Sequence, residues 1–391
     1  MIESTPKTRP RVALLRNNFL PYSETFIHDE LRFHERYDVA VFARKVLNAD
    51  RFPGHRVFAL ESPQRRMRIA SVWYGLSTRS AYLEREMKGG GFSLLHAHFG
   101  HNGAFAMGFA RRLKLPLVVS LHGADVTVLL GTAKFRPQWW NYLIRYRDLF
   151  REARLFLAAS NELKELIVAA GCPEEKVIVH RLGVDLDVFK PTSFPLPDDP
   201  PLVLMIGRFV EKKGHVYGIE AAALARRAGL DFRLVIVGHG PLLGEYRRLI
   251  ARLGLESLVS LPGALPRVEI VELLRRASVL VAPSVVARNQ DRESGIIVVK
   301  EAAASGLPVV GTRHGGIPEI IDEGTTGFMV PERDARALGE RLVELLKNRE
   351  LRLGFGRAAR AKMEREYDIR ERVRALESIY DRVIEADRAR S

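Results

Sequence analysis

The chain has a single cysteine, Cys172, in 391 residues. One thiol excludes an internal disulfide and fits a reducing compartment. No apolar run reaches the roughly 18 residues that a membrane-spanning helix needs, so no span is expected. Residues 1–10 are polar and contain proline, without the apolar core of a secretory leader, so a cytoplasmic location is expected. Also missing are the G-x-S-x-G elbow of serine hydrolases, the P-loop, and any Cys–His spacing that suggests a nucleophile. His96, His98 and His101 resemble a metal cluster at first sight. His96 and His98 would share one face of a strand, but no carboxylate or cysteine follows at ligand spacing. No metal site is therefore expected, and His98 is assigned a hydrogen-bonding role.

The length suits two domains better than one core, and an apolar content of 47% is that of a folded globular chain. The net charge of +14 informs about partners rather than fold. It leaves nucleic acid, an anionic membrane surface and phosphorylated substrates open. The basic residues are spread over the chain and no RNA- or DNA-binding motif accompanies them, which argues against nucleic acid.

Short apolar runs alternate with amphipathic segments. Strands are predicted at residues 11–16, 38–43, 93–99, 117–121 and 155–159, with a helix over 24–36 capped by Ser23. Residues 190–201 are rich in proline and aspartate, as in an interdomain linker. The alternation restarts with strands at 202–206, 233–237, 259–261, 279–282 and 308–311, and helices at 242–253 and 268–277. After Asp334 the pattern is helical and charged. Strand–helix alternation implies parallel sheets covered on both faces. The expected architecture is α/β: a first domain over residues 1–190, a linker at 191–200, a second domain over 201–368, and residues 369–391 helical. Ligands are expected at the carboxyl ends of the strands, in a cleft between the two domains.

Four motifs carry chemistry. Gly207-Arg208 leaves the strand at 202–206, and Lys213-Gly214 opens the next helix. A planar guanidinium and a compact ammonium at one strand end suit a diphosphate. Glu293 and Glu301 bracket Ser294, Gly295 and Ile296, with a helix predicted to begin near Ser294 or Gly295 and to stop at Gly306. Eight helical residues span about 12 Å. That is too wide for the carboxylate pair of a glycosidase, and about the length of a sugar–diphosphate–ribose unit. The first-turn N–H groups between the two acids could meet phosphate. Gly238 and Gly240 form a glycine-rich strand-to-helix turn that departs from G-x-G-x-x-G, with no acid at the end of the following strand to bind a ribose as in NAD folds. His122 leaves the strand at 117–121, where it could donate a hydrogen bond to a sugar or a leaving phosphate, with Asp125 holding a neighbour in place.

These elements, in this order, resemble family 4 of the glycosyltransferases, which have the GT-B fold of two Rossmann-like domains facing a central cleft. The resemblance covers nearly the whole chain and includes the segment GLPVVGTRHGGIPEII at 306–321. Residues 22–27 and 122–127 are similar to the branch that assembles exopolysaccharides, including colanic-acid and amylovoran transferases. The resemblance implies a hexose-type sugar moved from a nucleotide-sugar to a glycan or lipid-linked acceptor hydroxyl, with retention and without a metal or other cofactor. It implies Arg208 and Lys213 on the donor diphosphate, Glu293 near the donor sugar, Glu301 on the ribose and His122 at the reacting face. It also implies C-terminal helices crossing back to the first domain. Relatives carry a glycine-rich loop after the first strand. Residues 17–24 contain no glycine, and Ser23 is the candidate for that contact. A nucleotide-sugar epimerase or glycan phosphorylase of the same fold stays open as an alternative. Finally, residues 64–88 and 134–154 mix arginines with Trp73, Tyr74, Trp139, Trp140 and Tyr142. That composition suits either an anionic membrane interface, making the protein peripheral on the inner face, or a core-facing aromatic set with a solvated basic side.

Overall fold

The computed structural model describes residues 9–21, 24–50, 52–131, 139–192 and 200–390. The chain divides into two compact units, Met1–Gly183 with Ile369–Ser391, and Val184–Asp368.

In the first unit the strands are β1 (Arg11–Leu15), β2 (Asn18–Phe19), β3 (Asp38–Val46), β4 (Val57–Ser62), β5 (Arg65–Arg66), β6 (Phe92–His98), β7 (Leu117–Leu121), β8 (Leu155–Ala158) and β9 (Val177–Val179). They form one sheet in the order β5-β4-β3-β1-β6-β7-β8-β9, with β2 beside β3. Pairing is parallel apart from the short β4–β5 contact. The helices are α1 (Thr25–Arg32), α2 (Arg68–Ser77), α3 (Ala81–Gly89), α4 (Gly100–Leu113), α5 (Ala124–Leu130), α6 (Trp140–Glu152) and α7 (Asn161–Ala169). Both sheet faces are covered. Ala13, Leu15, Leu95 and Val119 point into one core with Phe109 and Leu149 of the helices. Val12, Leu94, Val118 and Leu157 point into the other. That is why β7 is apolar nearly throughout and buried along its whole length.

The second unit repeats the plan. Strands β10 (Leu202–Ile206), β11 (Arg233–Val237), β12 (Val259–Gly263), β13 (Val279–Ala282), β14 (Val309–Thr312) and β15 (Gly327–Val330) lie in the order β12-β11-β10-β13-β14-β15. All pairs are parallel. This is the 3-2-1-4-5-6 order of nucleotide-binding sheets, whose switch point lies between the first and fourth strands, here β10 and β13. The first unit switches likewise between β1 and β6. Helices α8 (His215–Arg227), α9 (Leu243–Arg252), α10 (Arg267–Arg276), α11 (Ile297–Ala304), α12 (Ile317–Ile320), α13 (Ala335–Lys347) and α14 (Arg349–Glu366) complete the unit. Side-chain caps start α13 and α14, where Asp334 and Asn348 accept from the N–H groups of Ala337 and Leu351.

Two expectations need adjustment. The unit boundary falls at Gly183–Val184 rather than after residue 190, because Val184, Leu186 and Phe189 are buried in the core of the second unit. Helix α1 stops at Arg32, not at residue 36. The final helix, α15 (Ile369–Arg388), groups with the first unit, as the expected architecture has it. Its buried Glu377 accepts from the backbone N–H groups of Glu35 and Arg36, both at 2.9 Å, and so draws the chain out of the helical path. Leu376, Ile379 and Tyr380 of α15 fill the core beneath β1, β6, β7 and β8. Ser23, the expected cap, lies outside the described residues, as does most of the expected linker.

Candidate active site

The second unit gathers charge at the carboxyl ends of β10 and β13. Gly207 continues β10 by donating to the Val237 carbonyl at 2.9 Å, and Arg208 then projects into solvent. Phe209 turns inward and packs edge-on against His215 and Tyr246. A single 3-10 turn, Glu211–Lys213, follows and ends at Gly214 with φ +60°. A Cβ at Gly214 would stand 1.8 Å from the Pro283 carbonyl oxygen. Glycine thus permits the β10 turn to lie directly against the segment after β13.

That approach brings two lysines onto one carboxylate. Lys213 Nζ lies 2.8 Å from Glu293 Oε2 and Lys212 Nζ lies 3.4 Å from Glu293 Oε1. Lys212 also donates to Asp291 Oδ1 and to the Arg292 carbonyl, each at 3.0 Å. Burial of Glu293 disfavours its charge, but Lys213 and Lys212 outweigh it and hold the carboxyl well below the ordinary range. The Glu293 N–H donates to His314 Nε2 at 3.1 Å, so the other ring nitrogen, Nδ1, carries the proton given to Glu332 Oε1 at 2.6 Å. Glu332 Oε2 accepts from the Val286 N–H. The ends of β13, β14 and β15 are thereby tied together behind Glu293.

The glycine turn of Gly238 and Gly240 packs on this same segment. Phe209 N–H donates to the His239 carbonyl at 2.9 Å, and a Cβ at Gly238 would meet the Gly207 oxygen at 1.9 Å. These two glycines admit a neighbouring backbone turn. Helix α11 starts at Ile297, later than expected. Ser294, Gly295 and Ile296 precede it outside any helix or strand, and Ile296 holds φ +26°. A β-branched residue is rarely found there, and such outliers concentrate where function constrains the chain. The helical rise therefore does not apply between Glu293 and Glu301, and the estimate of about 12 Å lapses. Glu301 sits in the second turn of α11, half-buried, and Ser294 is buried.

The first unit builds a separate polar cluster at the ends of β6 and β7. Asp125 is fully buried in α5. Its Oδ1 accepts from the N–H groups of His122 (3.1 Å) and Gly123 (2.9 Å), and its Oδ2 from Gly100 (2.8 Å). It thus fixes both strand-to-helix turns. His98 Nδ1 lies 3.0 Å from His122 Nε2, with the ring planes parallel and the centroids 5.2 Å apart, so the rings meet edge to edge. His98 Nε2 lies 3.1 Å from Glu30 Oε1 of α1. His96 places Nδ1 2.7 Å from the Tyr380 hydroxyl and Nε2 2.8 Å from Ser120 Oγ. Glu30, His96 and His98 are close enough to share a cation, so the carboxylate that sequence spacing did not supply arrives from another element. However, all four nitrogens of these two histidines already have protein partners.

Two family models divide the chain almost as its units do: "Glycosyltransferase Family 4" matches residues 25–188 and "Glycosyl transferases group 1" matches residues 189–362. The amylovoran biosynthesis glycosyltransferase AmsK of Erwinia amylovora is 34% identical over 287 residues, 73% of this chain and 69% of that protein. The chain belongs to the group 1, family 4 glycosyltransferases. A putative colanic acid biosynthesis glycosyltransferase of Escherichia coli, WcaL, is 36% identical over 248 residues, 63% of this chain. The match spans 59% of WcaL's own length. Among solved structures, Anabaena Alr3699/HepE in complex with UDP and glucose superposes with a TM-score of 0.75 at 18% identity, covering 95% of this chain and all of that one. This family member therefore has the GT-B fold.

Within this family member, Lys213 and Glu293 are in direct contact, as are His98 and His122. Arg208 is an exposed cation beside them in sequence. Lys212, Asp291, His314, Glu332 and Glu30 also belong to these clusters, and sequence reasoning assigned none of them a role. His314 lies inside the family segment at 306–321 and was visible there without a task.

Proposed function

We propose that the protein is a retaining glycosyltransferase that moves a hexose-type sugar from a nucleotide-sugar to an acceptor hydroxyl of a lipid-linked or polysaccharide-precursor glycan. The observation that carries this reading is the buried Glu293 carboxylate gripped by Lys213 and Lys212 at the β10–β13 switch point, where doubly wound sheets bind nucleotides. The AmsK and WcaL descriptions and the UDP and glucose of the HepE structure point the same way.

Arg208 and Lys213 bind the donor diphosphate and stabilise the negative charge that grows on it as the sugar leaves. Glu293 meets the sugar, Glu301 the ribose, and the backbone of Gly207, Gly238, Gly240, Ser294, Gly295 and Ile296 approaches the donor. The acceptor oxygen bonds to the anomeric carbon on the face from which the diphosphate departs. The electron pair of the broken bond goes to the phosphate oxygen, which also takes the acceptor's proton. Two cations supply the charge that a divalent metal supplies elsewhere, so no metal is required.

The acceptor is placed at the inner surface of a membrane. No described helix is long and apolar enough to cross one, but α2 exposes Ile69, Val72, Trp73 and Leu76, spaced along one helical face and preceded by the exposed Arg65, Arg66 and Arg68. Tyr74 and Tyr142 take the core-facing part of the expected aromatic set, whereas Trp73 and Trp140 face solvent. Lys134 and Arg136 of the expected basic stretch lie outside the described residues.

Incubation with a panel of nucleotide-sugars and lipid-linked acceptors, followed by anomeric analysis of the product, tests the reading. An α-linked product from an α-linked donor, formed in the presence of a chelator, is expected. An inverted product, loss of activity on chelation, or turnover without any acceptor alcohol refutes it.

A further inference from the structure

We infer that His314 and Glu332 form a positioning pair that fixes the main chain at Glu293, and so keeps its carboxylate in place when a phosphate draws Lys213 away. The kinetic consequence rests on the donor site proposed above; the proton arrangement of the pair stands without it.

The pair is assembled from the ends of neighbouring strands. Where β14 stops, the Thr312 hydroxyl donates to the Ser284 carbonyl beyond β13. The chain then turns through His314 and Gly315, the glycine at φ +55°, and enters α12. This turn leaves the His314 side chain wholly buried. Glu332 stands two residues past the end of β15.

A main-chain amide sets the direction of the hydrogen bonds. The Glu293 N–H keeps its hydrogen whatever its neighbours' charge, and it lies 3.1 Å from His314 Nε2. Nε2 is therefore bare. A ring protonated on both nitrogens would set one N–H against another, so His314 is neutral with its single hydrogen on Nδ1. That hydrogen goes to Glu332 Oε1 at 2.6 Å. Glu332 Oε2 accepts from the Val286 N–H at 2.8 Å and from Arg333 Nη1 at 3.3 Å. Both nitrogens of the histidine and both oxygens of the carboxylate are thus committed.

This bond reaches the part of Glu293 that the lysines leave alone. Lys213 and Lys212 hold the two carboxylate oxygens. A phosphate competes for Lys213, whose ammonium on a flexible stem is easily shared, but it does not compete for the main-chain N–H. Val286 and Glu293 bound the loop that leads out of β13, so one His–Glu pair secures both its ends. Three residues beyond Glu293, Ile296 keeps φ +26°. A β-branched residue stays there only where its surroundings over-determine the chain.

The protein labelled with ¹⁵N-histidine, without a ligand, tests the arrangement. Long-range ¹H–¹⁵N spectra near pH 7, with His314→Gln to assign the signals, should show His314 protonated at Nδ1 and bare at Nε2. A hydrogen on Nε2 overturns the proposal whether or not the protein transfers sugar. Glu332→Gln is nearly isosteric, but an amide accepts at one atom only. Val286 and Arg333 both donate on the Oε2 side and keep the amide oxygen there. The amide NH₂ then faces His314 and should drive the ring's hydrogen to Nε2, against the Glu293 N–H. With a nucleotide-sugar and acceptor that the wild type turns over, this variant should lower kcat about tenfold while KM for the donor changes less than about threefold. Unchanged histidine signals, or reversed signals with unchanged kcat, would defeat the positioning role. His314→Gln can both accept from Glu293 and donate to Glu332, so it should stay within about threefold of the wild-type kcat, whereas His314→Ala should lose about tenfold. Equal losses in these two variants would show that the bulk of the ring, not its hydrogen bonds, holds Glu293.

Discussion

Lys213 Nζ lies 2.8 Å from Glu293 Oε2. The neighbouring Lys212 reaches the second oxygen at 3.4 Å but is held also by Asp291 and the Arg292 carbonyl. The two adjacent lysines therefore differ in how replaceable they are. Removing Lys212 leaves two carboxylates and a carbonyl short of a buried cation, which should destabilise the fold by about 3 kcal/mol or more. Removing Lys213 leaves Glu293 still paired, at a cost of about 1 kcal/mol. If Lys213 is the cation that meets the donor, Lys213→Ala should lower kcat/KM at least about 100-fold. Urea denaturation and steady-state kinetics of the two variants separate these effects. Equal losses of stability, or a Lys213→Ala enzyme of full activity, would contradict the division of labour.

The parallel strands that carry these groups were legible in the sequence because each is an apolar run followed by an amphipathic segment. Strands β7, β10, β11 and β13 begin and end where the pattern says. Strand β15, at a sheet edge, and strand β4, next to the edge strand β5, escaped notice. They are short, and no periodicity separates a run of four to six residues from a turn. The start of α11 was misjudged for a different reason. Ser294 and Gly295 are good first-turn residues, and the φ of +26° at Ile296 is imposed by the surrounding packing rather than by local preference. Long-range pairs were the least visible part of the site. Glu30 and His98 stand 68 residues apart, and the truncation of α1 is caused by Glu377 near the other end of the chain. Neither relation leaves a local trace.

Glu377 also sets an acid limit on stability. Its carboxyl, fully shielded from solvent, would be raised by burial alone. A hydrogen bond from His34 and the N–H groups of Arg36 and Glu35 pull it the other way, from 4.5 to about 2. The folded chain thus holds this proton less tightly than the unfolded chain. The associated stabilisation is complete above pH 4.5 and is lost as pH falls toward 2. It amounts to on the order of 3 kcal/mol at neutral pH. Glu377→Gln should lower the urea midpoint at pH 7 and flatten the decline between pH 4.5 and pH 2. A variant with the wild-type slope would show that α15 does not depend on this ion.

Helix α2 turns its apolar residues outward. Ser71 and Tyr74 are buried, while Ile69 is 89%, Val72 56%, Trp73 62% and Leu76 72% exposed. Trp140 and Ile144 are exposed one turn apart on α6, and the Asn141 side chain donates to the Gly75 carbonyl, joining the two helices. Arg65, Arg66 and Arg68 lie at the start of α2, and Arg147 is exposed on α6. A surface that is apolar at its centre and basic at its edge matches the interfacial zone of an anionic bilayer. Each side chain that enters the bilayer contributes up to about 1.5–3 kcal/mol, and each arginine near the surface about 1 kcal/mol. Trp73→Ala with Leu76→Ala should therefore weaken binding to phosphatidylglycerol-containing vesicles about 100-fold. Thermal stability should barely change, because these side chains pack against little in the fold. Arg65→Glu with Arg66→Glu should weaken binding most at low salt and least at high salt. Vesicle sedimentation across a salt series measures both variants. If the wild type ignores anionic vesicles at low salt, the membrane is not what covers this face. A second protein would then have to meet the same requirement, an apolar centre ringed by acidic groups.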